Sequence, residues 1–118
     1  MATFGIKRIY EDPAPEDGTR ILVDRLWPRG ISKERAALAS WHKELAPSPE
    51  LRKWWGHDAA RMDEFAAAYE AELDQRPEVD EFLAELTPDE RVTLLYAAKD
   101  PRVNHARILC AYLTQRQQ

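Results

Sequence analysis

Asp24, Arg25, Trp27, Pro28, Arg29 and Gly30 follow directly on the apolar run Ile21-Leu22-Val23. A Pro and a Gly at that spacing stop a strand and turn the chain, so the charged side chains reach a fixed place at a strand exit, where small α/β domains build their sites. Two guanidiniums in one short turn point to an anionic ligand, a phosphate-bearing small molecule or a nucleotide. A second apolar run, Val92 to Ala97, exits into Lys99-Asp100, with Asn104 and His105 close behind. If the two strands are parallel neighbours, these segments meet. Arg25 and Arg29 would then hold the anion, with Trp27 and Asn104 beside it. Lys99 and the N-terminus of the last helix would stabilise charge, His105 would move a proton, and Asp24 would orient a basic group or activate water.

Each residue also has a plainer use. Asp100 before Pro101 is a standard helix N-cap arrangement. Asp24 and Arg25 could pair with each other or with neighbouring chain. Arg29 beside Gly30 suits ligand or backbone contacts better than a place in the core. His105 borders the apolar stripe of its helix, either as a half-buried ring bonded to a carbonyl or as a general acid/base. His57, between Gly56 and Asp58, suits capping or packing in a helix-helix turn, and His42 has no supporting context. Cys110 falls on an apolar helix face and reads as an inert core residue. The chain has no H-x-x-x-H or H-E-x-x-H pair and no second cysteine, which argues against a tight zinc site. No cofactor is called for, although one or two carboxylates leave room for Mg²⁺.

A chain of 118 residues suits one domain with one core. Its 21 Asp and Glu against 17 Lys and Arg give a net charge of -4, which opposes non-specific attachment to nucleic acid or anionic lipid. Any anion site must therefore be a local basic patch. The one cysteine cannot form an internal disulfide, no apolar run is long enough to span a membrane, and Met1 to Lys7 lacks a signal-peptide pattern. These features predict a soluble cytoplasmic protein.

The elements that must position these groups can be read from periodicity. Strands are predicted over 3–10, with Phe4 and Ile6 alternating against polar positions, over 19–24 in the middle of the sheet, and over the run from Val92 to Ala97. The acidic, Pro-rich run Glu11 to Gly18 reads as a solvated loop. Residues 40–45 read as a short strand or a loop. Helices are predicted near 32–38, from the Ser48-Pro49 cap to Gly56, and from Asp58 with Met62, Phe65, Ala66, Tyr69 and Leu73 on one stripe. Two more follow from Pro77, with Val79, Phe82, Leu83 and Leu86 on one face, and from Asp100-Pro101 through about Gln115. Strands separated by helices predict an α/β fold, with a small, mostly parallel sheet of three to four strands flanked by helices in a single domain.

Four tryptophans, Trp27, Trp41, Trp54 and Trp55, are many for this length, and adjacent Trp54 and Trp55 cannot both face one core. Trp and Arg together are favoured at protein contacts, so a non-catalytic module forming a homodimer or partner surface through Trp27, Trp54 and Trp55 is the alternative to an anion site. Stacking on a nucleobase is a third use, which the acidic balance disfavours for nucleic acid.

The run Val23 to Gly30, Leu45-Ala46-Pro47-Ser48 with Leu51-Arg52, His57-Asp58, and Tyr96 to Asp100 with Asn104-His105-Ala106 resemble, in order and over nearly the whole chain, the YeaO-like branch of the bacterial domain of unknown function 488 family. That resemblance brings no established activity with it. Some relatives bear transcription-factor labels, but this chain is acidic and shows no basic recognition helix. The broader family often has Cys-Ala-Glu at a strand end and Cys-His-Arg at a helix start. The matching positions here are Tyr96-Ala97-Ala98 and Asn104-His105-Ala106, so both thiols, the Glu and the Arg are absent and His105 is retained.

Overall fold

Alternation along the two most apolar runs sorts the core onto two faces of one sheet. In the computed structural model, which describes residues 1–117, four strands pair in parallel: β1 (Thr3–Arg8), β2 (Thr19–Leu22), β3 (Ser40–Trp41) and β4 (Arg91–Tyr96), in the order β1-β4-β2-β3. Ile21, Val23, Val92, Leu94 and Tyr96 face one side, and Leu22 and Leu95 face the other. The central strands are thus apolar on both faces, as parallel sheets require.

The larger face is covered by α2 (Pro49–Trp55), α3 (Met62–Asp74), α4 (Pro77–Glu85) and α5 (His105–Arg116). Phe65, Tyr69 and Leu73 from α3, Val79 and Phe82 from α4, and Leu109 and Leu113 from α5 close that core. The smaller face is covered by the single turn α1 (Lys33–Ala36) and the loops around it, with Ile9, Ala36, Trp27 and Trp41 packed there. The α/β class, the strand count and the parallel pairing agree with the sequence.

Several boundaries differ. The first strand ends at Arg8 and the second at Leu22, although Ile9 and Val23 still donate backbone hydrogen bonds to Tyr96 and Leu95. Only Ser40 and Trp41 pair as a strand, because Lys43–Leu45 winds into a 3-10 turn. The largest shift is at the last helix, which begins at His105 and not at Asp100-Pro101. The Asp100 carboxylate caps a tight turn, accepting from the Arg102 amide at 2.8 Å and the Val103 amide at 3.3 Å. Asn104 is the N-cap: its Oδ1 accepts from the Arg107 amide at 2.9 Å and its Nδ2 donates to the Asp100 carbonyl at 2.9 Å. Trp55 is 1% exposed and Trp54 41%, so Trp55 belongs to the core and only Trp54 can serve a surface.

Candidate functional site

Because β2 and β4 are parallel neighbours, both exits open on the same edge of the sheet, and a cavity of about 310 Å³ lies there. Asp24, Arg25, Leu26, Trp27, Pro28 and Arg29 form one side of it. Their turn is held at three points. The Trp41 indole donates to the Asp24 carbonyl at 2.7 Å, the Trp27 indole donates to the Ile31 carbonyl at 2.7 Å, and the Tyr10 hydroxyl donates to the Arg29 carbonyl at 2.9 Å. Gly30 closes the turn at φ 78, a left-handed backbone that favours glycine.

Asp24 and His105 come together in the wall of the cavity, as the sequence predicted for parallel neighbours. Asp24 Oδ2 accepts from the Ala97 amide at 3.0 Å, which ties the β2 exit to the β4 exit. His105 Nε2 lies 2.9 Å from the Val23 carbonyl and 3.2 Å from Asp24 Oδ1. Both neighbours are acceptors, so Nε2 carries the ring proton and donates to the carbonyl. Burial lowers the His105 pKa and outweighs the opposing pull of the Asp24 carboxylate and the Val23 hydrogen bond. Asp24 Oδ1 is buried and, among the described residues, receives no hydrogen bond.

Cations dominate the rest of the lining. Arg25 donates only one long bond, from Nη2 to the Pro47 carbonyl at 3.3 Å, and its buried Nε has no partner among the described residues. Arg52 and His57 complete the wall from the end of α2 and the turn behind it. Arg25, Arg29 and Arg52 are not paired with a carboxylate among the described residues, nor are Arg8, Arg91, Arg102 and Arg107, whereas Arg20, Arg35, Arg61, Arg76 and Arg116 are; what sets the first three apart is that they line one cavity. Burial lowers the His57 pKa, and the Arg52 charge lowers it further. Its backbone sits at φ 58, and its ring stacks on Trp55 with 4.6 Å between centroids.

Trp27 lines the cavity, edge-on to Trp41. Lys99 is exposed and lies off the cavity wall, because the Asp100 turn separates it from α5. Asn104 is fully buried in its capping role and does not line the cavity. Arg52 and His57 were not singled out as ligand-binding from their types alone, and the signal that could have found them was their place in the Leu51-Arg52 and His57-Asp58 motifs.

The loop Leu45-Ala46-Pro47-Ser48, another of those motifs, forms the back of the site through Ala46. Its four carbonyl or cap positions are each held by a side chain. Tyr69 donates to the Leu45 carbonyl, Arg76 to the Ala46 carbonyl, and Arg25 to the Pro47 carbonyl, while Ser48 donates from its amide and hydroxyl to Glu72. Among the described residues no three His, Cys, Asp or Glu side chains converge as a metal site. Cys110 is half-buried on α5 and burial raises its pKa, which suits packing better than nucleophilic attack. Among the described residues no helix is long and apolar enough to cross a membrane.

Comparison with known proteins places these features in a lineage. Residues 3–118 match the family model described as the inactive DUF488-N3 subclade. The uncharacterised protein YeaO of Escherichia coli is 45% identical over 107 residues, covering 91% of this chain and 93% of that one. An uncharacterised protein of Mycobacterium tuberculosis is 42% identical over 111 residues, covering 94% and 93%. No solved structure gives a significant match.

Proposed function

Since the chain belongs to the DUF488 family, in a subclade whose description reads inactive, we propose that it is an anion-binding domain that holds a phosphate-bearing small molecule or nucleotide without transforming it. The observation that carries this reading is the collection of Arg25, Arg29 and Arg52, none paired with a carboxylate among the described residues, around one cavity of an acidic chain. Guanidiniums left without carboxylate partners keep their bidentate donors for a ligand. The absence of the thiols, Glu and Arg at the positions of Tyr96, Ala98, Asn104 and Ala106 supports binding over covalent chemistry.

The test is thermal unfolding against inorganic phosphate, nucleotides, sugar phosphates and Mg²⁺, with Arg25→Ala and Arg52→Ala alongside. Arg25 makes one long hydrogen bond, so its alanine variant should melt within a few degrees of the parent. We expect an anion to raise the parent's melting temperature and to lose most of that effect in both variants. Absence of a shift with every anion would overturn the proposal.

A catalytic reading has one observation in its favour, the 3.2 Å approach of Asp24 to His105. It requires turnover of a bound phosphate ester that His105→Gln abolishes while binding survives. An interaction surface is favoured instead by exposed Leu26 and Trp54. That reading requires a concentration-dependent mass that Trp54→Ala removes.

A further inference from the structure

A second concavity, also of about 310 Å³, lies against the first and is lined by Pro49, Arg52, Lys53 and His57. Arg52 and His57 line both cavities and so form the partition between them. The second has no carboxylate in its lining, and neither Arg52 nor Lys53 has an ion-pair partner among the described residues. The two differ in character. The first offers Trp27, Tyr10 and Pro28 beside Arg25 and Arg29, together with the buried acceptor Asp24, and the second offers cations and little else.

Building on the anion-site reading above, we infer that the ligand carries two separate anionic groups, one held by Arg25 and Arg29 in the first cavity and the other by Lys53 in the second, with Arg52 on the partition serving both and the ligand's body beside Trp27 and Tyr10. A bisphosphate of a sugar or nucleoside has this chemistry. A single phosphate would leave one group of guanidinium and ammonium donors without an anion. Joining two anions on one body makes the second contact intramolecular, so affinity rises without any change in either subsite. A long polyanion fits less well, because the molecule around the two cavities is net acidic.

His57 is built for the shared wall. A non-glycine residue at φ 58 costs free energy that a free turn would relax. Here the ring is held against Trp55, which in turn stacks on Phe65 at 3.8 Å between centroids. That column fixes the partition relative to the core, and with it the separation of the two subsites.

Isothermal titration of the full chain with inorganic phosphate, a hexose monophosphate and its bisphosphate, and a nucleoside monophosphate and its bisphosphate separates the two conclusions. We expect one bisphosphate to bind about tenfold or more tightly than its matched monophosphate. Lys53→Ala, on an exposed side chain, should remove most of that advantage, whereas Arg25→Ala should weaken monophosphate and bisphosphate binding alike. Equal affinity for each matched pair, or an advantage that Lys53→Ala leaves intact, overturns this inference while the single-anion site stands. A single-stranded oligonucleotide binding more tightly than either bisphosphate also overturns it. No binding of any phosphate overturns the site itself.

Discussion

His105 is the residue whose chemistry is set most firmly by its surroundings. Its Nε2–H is committed to the Val23 carbonyl, its ring lies edge-on to Tyr69 at 6.2 Å, and burial disfavours the imidazolium. The folded ring is therefore less basic than the ring of the unfolded chain, which takes up a proton first as the pH falls. Stability should be full above about pH 6.5 and decline as the pH drops from there towards the lowered folded value. His57 contributes in the same direction, so the cleanest comparison sets His105→Gln against the parent in melting temperature from about pH 8 to about pH 5. The variant should lose about 1–3 kcal/mol at neutral pH with the buried hydrogen bond, and its profile should flatten below the imidazole range. Superimposable profiles would mean that the ring charges inside the fold at no cost. At this scale the sequence was most legible where chemistry follows a strand without interruption. Asp24, Arg25 and Arg29 needed only the apolar run before them and the Pro and Gly among them. Arg52 and His57 reach the same cavity from the end of a helix, and no local pattern says which strand exit that helix end will meet. Lys99 stands off the cavity for the opposite reason, since adjacency to a strand end does not set direction once the Asp100 side chain closes a turn behind it.

Elements hold this site as much as residues do. The end of α3 and the turn that follows it grip the loop between β3 and α2: Arg76, just before α4, donates to the carbonyls of Glu44 and Ala46 and to Glu72, and Glu72 on α3 in turn receives both donors of Ser48. Ser48 also caps α2, accepting from the Leu51 amide at 3.2 Å. Arg76→Ala should thus cost about 1–3 kcal/mol in chemical denaturation and weaken anion binding without touching the ligand, because the Ala46 and Pro47 backbone behind the cavity loses its hold. Unchanged affinity in a destabilised variant would confine Arg76 to stability alone. A second buried cluster sits at the opposite end of the strands. Asp17 joins Arg20 at 2.5 Å and Lys7 at 3.1 Å, while Arg20 donates twice to the Ala36 carbonyl. Burial would raise the Asp17 pKa, but hydrogen bonds from the Ala14 amide, Lys7 and Arg20 together bring it below its ordinary value. This pairing adds stability above about pH 4 that is lost as the pH falls further. Asp17→Ala strands a buried guanidinium and should cost about 3–5 kcal/mol by denaturant titration, far more than an exposed pair such as Arg35–Asp12. The acidic loop from Glu11 to Gly18 reads as solvated by composition, and Asp17 departs from that because a buried Arg20 in the next strand needs its charge. Helix stripes with long apolar repeats, such as Phe65, Tyr69 and Leu73, were legible without tertiary knowledge. The start of α5 was not, since Asp100-Pro101 and Asn104 are both sound caps and the choice depends on how Asn104 packs.

For the molecule as a whole, the strand order makes the last strand the indispensable one. β4 lies between β1 and β2, with Thr3 opposite Arg91 and Ile21 opposite Leu94, so until residues near the end of the chain arrive β1 has no sheet partner and β2 has only the two-residue β3. Such long-range pairing leaves little room for a stable partial sheet and predicts cooperative unfolding of β1, β2 and β4 together. The exit turns behave differently from the strands, because the 24–30 turn is fixed mainly by side chains reaching over it while the strands are fixed by their ladders. Hydrogen exchange measured on the full chain should show amides of β4 and Val23 opening only with global unfolding. Amides of the 24–31 and 98–103 turns should exchange through smaller local openings. An anion seated between the β2 exit and the end of α2 then has a defined signature. Saturating ligand should slow the 24–31 turn and the Gly56-His57 turn by more than the global stabilisation accounts for, leaving 99–103 to follow the global change, since Lys99 to Asn104 stand off the cavity wall. If 99–103 gained the larger protection, the ligand would sit over the start of α5, and the basic wall of Arg25, Arg29 and Arg52 would lose its assignment.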